Sequence, residues 1–154
     1  MVREGLGRLD GVESVEERAD AAAGTGSLRI KDVSLLDPAV MAQTIFDIRI
    51  GARLRGMEAT IEGKLKREKD TLTLHFTHGG ADQVVTLAPL QKKIQLGAQR
   101  TGVAPPTKDE REAFTRLQTG GKNVPSTIRV TGPVTRPKSD APLTLEVRHF
   151  EPVR

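Results

Sequence analysis

Apolar positions in the first third of the chain recur with two different periods. Val2, Leu6 and Leu9 are spaced i, i+4 and i+7, one face of a short helix that Asp10-Gly11 ends. Val12 and Val15 open a strand over residues 12–18. After a loose turn over 21–26, Leu28, Ile30 and Val33 mark a second strand over 27–33, antiparallel to the first by hairpin logic. Asp37-Pro38 starts a helix, because an Asp side chain accepts from the free amides and Pro suits the first helical position. Met41, Ile45 and Ile48 share its apolar face, and Gly51 closes it. Residues 53–65 alternate as a long strand whose apolar members are Leu54, Ala59, Ile61 and Leu65. Gly56 and Gly63 read as bends or bulges in it.

Beyond residue 65 the period is mostly two. Leu72, Leu74 and Phe76 alternate over a half-buried strand, 71–77, before the turn His78-Gly79-Gly80. Residues 83–87 form another strand, 93–96 a short one, and 102–107 a loop. Thr107 and Glu110 make a capping box for a helix over 108–118, with Ala113, Phe114 and Leu117 on one face and Gly120-Gly121 at its end. Strands over 127–134 and 143–150 flank a turn over 135–141. Thr60-Ile61-Glu62-Gly63 with Leu72-Thr73-Leu74 is echoed by Ile128-Arg129-Val130-Thr131-Gly132 with Leu143-Thr144-Leu145. Two such hairpins and one short helix suggest a small curled sheet or an OB-like barrel.

Composition narrows the functional classes. The chain has 154 residues, enough for one domain or two small ones sharing a core. It has four Phe and neither Trp nor Tyr, so aliphatic side chains must fill the interior. It lacks Cys, which excludes disulfides, thiolate metal sites and Cys nucleophiles within these residues. The net charge of +4 is spread among interleaved acids and bases, the pattern of a wet mixed surface. No apolar run reaches membrane-spanning length, and no apolar core follows the charged N-terminus as in a signal peptide. The expectation is a soluble chain whose compartment the residues do not specify. It opens abruptly, inside what reads as a helix already under way.

The pattern V-R-x-x-L-x-x-L-x-G-V-x-x-V at Val2–Val15, then D-P-x-x-M-x-x-x-I at Asp37–Ile45 and G-A-R at Gly51–Arg53, resembles a heavy-metal-associated domain. The resemblance covers about the first 65 residues. It implies an α+β chain with an N-terminal ferredoxin-like unit, a βαββαβ arrangement lacking its first strand, over residues 1–62. A small antiparallel β half, OB-like or a curled sheet, follows over 63–154. The family holds soft metals with a C-x-x-C pair before its first helix. No residue of this sequence matches those ligands. The expected function is a non-catalytic binding or accessory role of metal-handling ancestry. A sheet lacking a strand implies an open edge for a protein partner or a second copy.

Candidate chemistry is sparse. Copper or zinc on His75, His78 and His149 is the metal option, because His75 and His149 each precede a Phe on echoing strands. The alternative reading is an OB-like nucleic-acid-binding module. It would use Lys64, Lys66, Arg67 and Lys69 with Arg136 and Lys138, provided the two hairpin turns lie together. No G-x-S-x-G elbow, P-loop or G-x-G-x-x-G is present, so an enzyme is not expected.

Overall fold

The computed structural model describes residues 2–16, 26–49, 53–95, 102–138 and 140–153. Gly51, the turn at residues 21–25 and Leu96 lie outside them. The helix expected to close at Gly51 ends sooner, at Asp47 with Ile48 as its C-cap.

Helix α1 (Val2–Gly7) leads through a turn at Gly11 into the strands β1 (Val12–Val15) and β2 (Leu28–Ile30), paired antiparallel. Gly11 has φ 89° and sits so close to Asp32 that an added Cβ would come within 2.7 Å of the Asp32 Cβ. A 3₁₀ turn (Val33–Leu36) follows, capped by Asp32, whose Oδ1 accepts from the Ser34 amide at 2.9 Å. The amide and hydroxyl of Ser34 hold the Asp32 carboxyl below its ordinary range. Helix α2 (Pro38–Asp47) begins as the sequence indicates, with Asp37 Oδ1 accepting from the Ala39 amide. Leu6, Leu9, Val12, Leu35, Met41 and Ile45 close a small core between the helices and the hairpin.

The helix, strand, strand, helix order expected for the first half is present, but the next strand departs from expectation. Strand β3 (Glu58–Glu68) starts five residues later than residue 53 and runs unbroken past residue 62. It pairs with strands further along and not with β1 or β2. Among the described residues the N-terminal sheet therefore has two strands.

β3 belongs to a second sheet with β4 (Thr71–His78), β5 (Ala81–Pro89), β8 (Thr127–Thr135), β9 (Thr144–Val147) and β10 (His149–Pro152). The short hairpin β6 (Lys93–Gln95) and β7 (Gly102–Ala104) stands beside it. β7 corrects the loop expected over 102–107. The order β10-β8-β3-β4-β5-β9 closes on itself because β9 also pairs with β8. The result is a five-stranded barrel-like sheet, consistent with an OB-like arrangement. All its pairings are antiparallel except β5 with β9.

Alternation fills the barrel. Leu72, Leu74, Val85, Leu87, Ile128, Val130 and Leu145 point inward and are almost wholly buried. The echoing segments are neighbours, with Ile61 opposite Val130 across β3 and β8. Helix α3 (Lys108–Thr119) packs on β5, β9 and β10 through Ala113 and Leu117. The predicted capping box is complete, with the Glu110 amide donating to Thr107 Oγ1 and the Thr107 amide donating to Glu110 Oε2. At the far end of that helix the Arg67 guanidinium donates twice to the Leu117 carbonyl, at 3.2 and 3.0 Å.

Closure depends on Gly132. Before it, β8 pairs with β10, and after it β8 pairs with β9. A Cβ on Gly132 would fall onto the Glu146 carbonyl. Pro133, which has no amide to satisfy, occupies the next position of this corner. The final strand expected over 143–150 is thus two strands, broken at Arg148 by a one-residue register shift. At Gly63 the register of β3 with β8 is unshifted, the pairing with β4 begins one residue later at Lys64, and a Cβ would stand 2.5 Å from the His75 carbonyl.

Gly132→Ala is expected to destabilise the protein by at least about 2 kcal/mol, since the clash is with backbone and cannot be relieved by a rotamer change. Urea unfolding followed by far-UV circular dichroism measures it. A midpoint unchanged from the wild type would show that the barrel closes elsewhere.

Candidate functional site

The three histidines are held apart. His75 and His78 are three residues apart on an unbroken strand, so their side chains leave opposite faces. His75 Nε2 lies 3.1 Å from Thr73 Oγ1. His78 Nε2 donates to the Lys31 carbonyl; since a carbonyl only accepts, that nitrogen carries the proton. His149 lies opposite Thr131, and β8 and β3 stand between its strand and β4. Three strand spacings, about 14 Å, separate the strands of His149 and His75. They are not neighbours, contrary to the sequence expectation. Among the described residues no three His, Cys, Asp or Glu side chains converge to hold a metal ion. The thiolates of the family resembled are absent, so the residues present do not fit that metal.

The basic candidates divide between the two rims of the barrel. β3 runs antiparallel to β8 with Glu58 opposite Pro133 and Lys64 opposite Thr127. The β3–β4 turn carrying Lys69 therefore lies at one rim, and the β8–β9 loop carrying Arg136 and Lys138 at the other. Lys64 and Lys66 are exposed on the outer face of β3, whereas Arg67 is committed to the α3 carboxyl end. The two turns do not make one basic surface, which corrects the condition attached to the nucleic-acid reading.

At the Arg136 rim, the N-terminal unit leans on the barrel. Leu36 packs against the barrel core, and Met57 contacts both cores. Asp37 is the pivot. Its Oδ1 caps α2, and its Oδ2 accepts from Arg136 Nε at 2.6 Å, with the Asp37 side chain only 12% exposed. Arg136 NH1 also donates to the Ala141 carbonyl, which fixes the β8–β9 loop. The sequence showed Asp37 as a cap and Arg136 as a turn cation, but nothing in either local pattern pairs them.

Between these parts opens a cleft of about 410 Å³. Leu36, Phe76, Val85 and Leu143 give it apolar walls, and the Asp37–Arg136 pair borders it. Val84, 40% exposed, stands at its lip with Gln83 and Asp140. Its lining mixes apolar surface with a few fixed polar groups. Among the described residues that line it there is no imidazole.

A second polar cluster lies at the corner of the barrel. Arg148 NH1 bonds both Glu58 oxygens at 2.9 Å, and its Nε bonds Glu110 Oε1 at 3.1 Å. Lys93 reaches Glu110 at 3.0 Å. Burial alone pushes the Glu110 carboxyl up, but the Thr107 amide, Lys93 and Arg148 hold it down at about 2. Every oxygen of the cluster is engaged, and it joins β3, α3, β6 and the β9–β10 break. Its role is to fasten the helix over the barrel.

No protein-family model matches the chain, and no curated protein matches it.

Two outcomes follow from these contacts. Glu110 is held below its ordinary value of 4.5, so its stabilisation is fully present above that pH and is lost as pH falls towards about 2. Glu110→Gln should flatten the fall in stability between those values and cost about 2 kcal/mol at pH 7, measured by urea unfolding across a pH series. Asp37→Asn retains the cap oxygen and loses the ion pair, whereas Asp37→Ala loses both. Asp37→Ala should be the more damaging by roughly 1 kcal/mol. Equal midpoints for the two variants would mean the cap contributes nothing.

Proposed function

We propose that the chain is a non-catalytic binding module. An OB-like barrel carries a helix–hairpin unit of heavy-metal-associated ancestry docked on one rim, and the cleft between them takes a segment of a partner protein. The cleft carries this reading. It is walled by Leu36 from the N-terminal unit and by Phe76, Val85 and Leu143 from the barrel, and the Asp37–Arg136 pair, whose carboxylate is buried, joins its two sides. The barrel order β3-β4-β5-β9-β8, with one parallel pair and a helix between β5 and β8, supports the OB-like assignment. The order of elements from α1 to α2 supports the ancestry.

Nucleic acid is the second reading, and the barrel topology favours it. The placement of the side chains favours the first. Phe76 and Phe150 pack towards the barrel interior, so they are not platforms for stacked bases, and the lysines and arginines are split between the rims.

A phage-displayed library of short linear peptides, selected on the full chain, tests the proposal. Selected peptides should lose roughly tenfold or more in affinity on Val84→Asp, a change at an exposed position that leaves the unfolding midpoint near that of the wild type. Failure to select any peptide sensitive to this variant would overturn the reading. Anisotropy of a labelled DNA single strand at low and high salt tests the alternative, since binding that weakens steeply with salt would favour nucleic acid.

A further inference from the structure

The edge of β5 is paired along only part of its length. β4 accompanies it from Ala81 to Leu87, but on the other side β9 joins only from Thr86 to Pro89. Among the described residues no strand lies on that side of Ala81–Val85. The pairing ends where the Thr86 amide donates to the Leu143 carbonyl at 2.9 Å. Backbone polar groups alternate in direction along a strand, so the amide and carbonyl of Val84 turn the same way as those of Thr86, away from β4. That is the side on which the cleft opens, with Gln83, Val84 and Val85 along one wall and Ala141, Pro142 and Leu143 along the other.

We infer that the partner segment enters the cleft as an extended strand and adds to the open edge of β5. This rests on the binding reading above and specifies its mode. An unpaired edge is a template for main-chain hydrogen bonds, and alternate side chains of the added strand then fall into or out of the cleft. The free edge of five residues spans about 17 Å, the reach of a five-residue extended segment. Charge selects among such segments. Asp82 and Asp140 stand exposed at the open end, while the positive charge of Arg136 is already held by Asp37. The occupant is therefore a partner segment with alternating apolar side chains and a Lys or Arg placed to meet Asp82 or Asp140.

The probes are the library-selected peptides in synthetic, fluorescein-labelled form, titrated against the full chain. Val84→Ala keeps the edge amide and should bind within about threefold of wild type. Val84→Pro removes that amide at a position where its loss breaks no bond to β4, and should weaken binding roughly tenfold or more. A peptide N-methylated at alternate residues, titrated against wild type, makes the same test if the proline variant is unstable. Asp140→Lys should reverse the preference for basic peptides. Equal losses for Val84→Ala and Val84→Pro, or undiminished binding of every N-methylated peptide, would overturn strand addition while leaving the cleft as a binding site. No selectable peptide at all would overturn both. A concentration-dependent dimer in sedimentation that Val84→Pro dissolves would make the occupant a second copy of the chain, and would overturn the partner segment.

Discussion

The barrel can close only because one strand changes partner halfway along. β8 must leave β10 and take up β9 at Gly132, and the backbones there approach more closely than any side chain permits. The rest of the fold is arranged around that crossing. Leu145 and Val147 enter the core on one side of it and Phe150 on the other, and Arg148, left at the break, turns to meet carboxylates from β3 and α3. Helix α3 lies over the same corner. Its first turn is fastened to Arg148 and its side carries Arg116 over the Phe150 ring, 5.7 Å from the centroid.

Glu110 and Asp37 show how few groups join the parts. Each uses one oxygen to cap a helix and the other, or the same carboxylate, to hold an arginine from a distant segment. A helix cap is a local device, but here it also sets tertiary position. The cation that binds the cap fixes where the helix starts relative to the barrel. For Asp37 the result is a junction in which the start of α2 and the β8–β9 loop meet at one carboxylate beside the cleft.

What the sequence made legible was local. Asp37-Pro38, the Thr107–Glu110 box, and the Leu72/Leu74 and Leu145 alternation each carry their physics within a few residues, and each element formed close to its expected place. The misreadings concerned which strands pair across the fold and one strand too short to show a pattern. Residues 53–65 alternate whichever sheet they join, so periodicity did not reveal that β3 turns to the barrel. Residues 102–104 are too few to show a period. The spacing of Lys69 from Arg136 along the chain says nothing of their lying at opposite rims. The cleft was illegible for the same reason, since Leu36, Val84 and Leu143 meet only after three separate segments have folded.

The one-residue offset at Arg148 has a consequence for how this stretch can vary. Upstream of it the odd-numbered residues Leu145 and Val147 face the core; downstream the even-numbered Phe150 does. The break works as a change of phase, the way a frameshift does in a reading frame. Substitution leaves phase intact, but loss or gain of a single residue between Glu146 and His149 would invert every position beyond it. It would turn Phe150 to solvent and its charged neighbour Glu151 to the interior. The chain length between these two strands is therefore a more stringent specification than the identity of most residues within it.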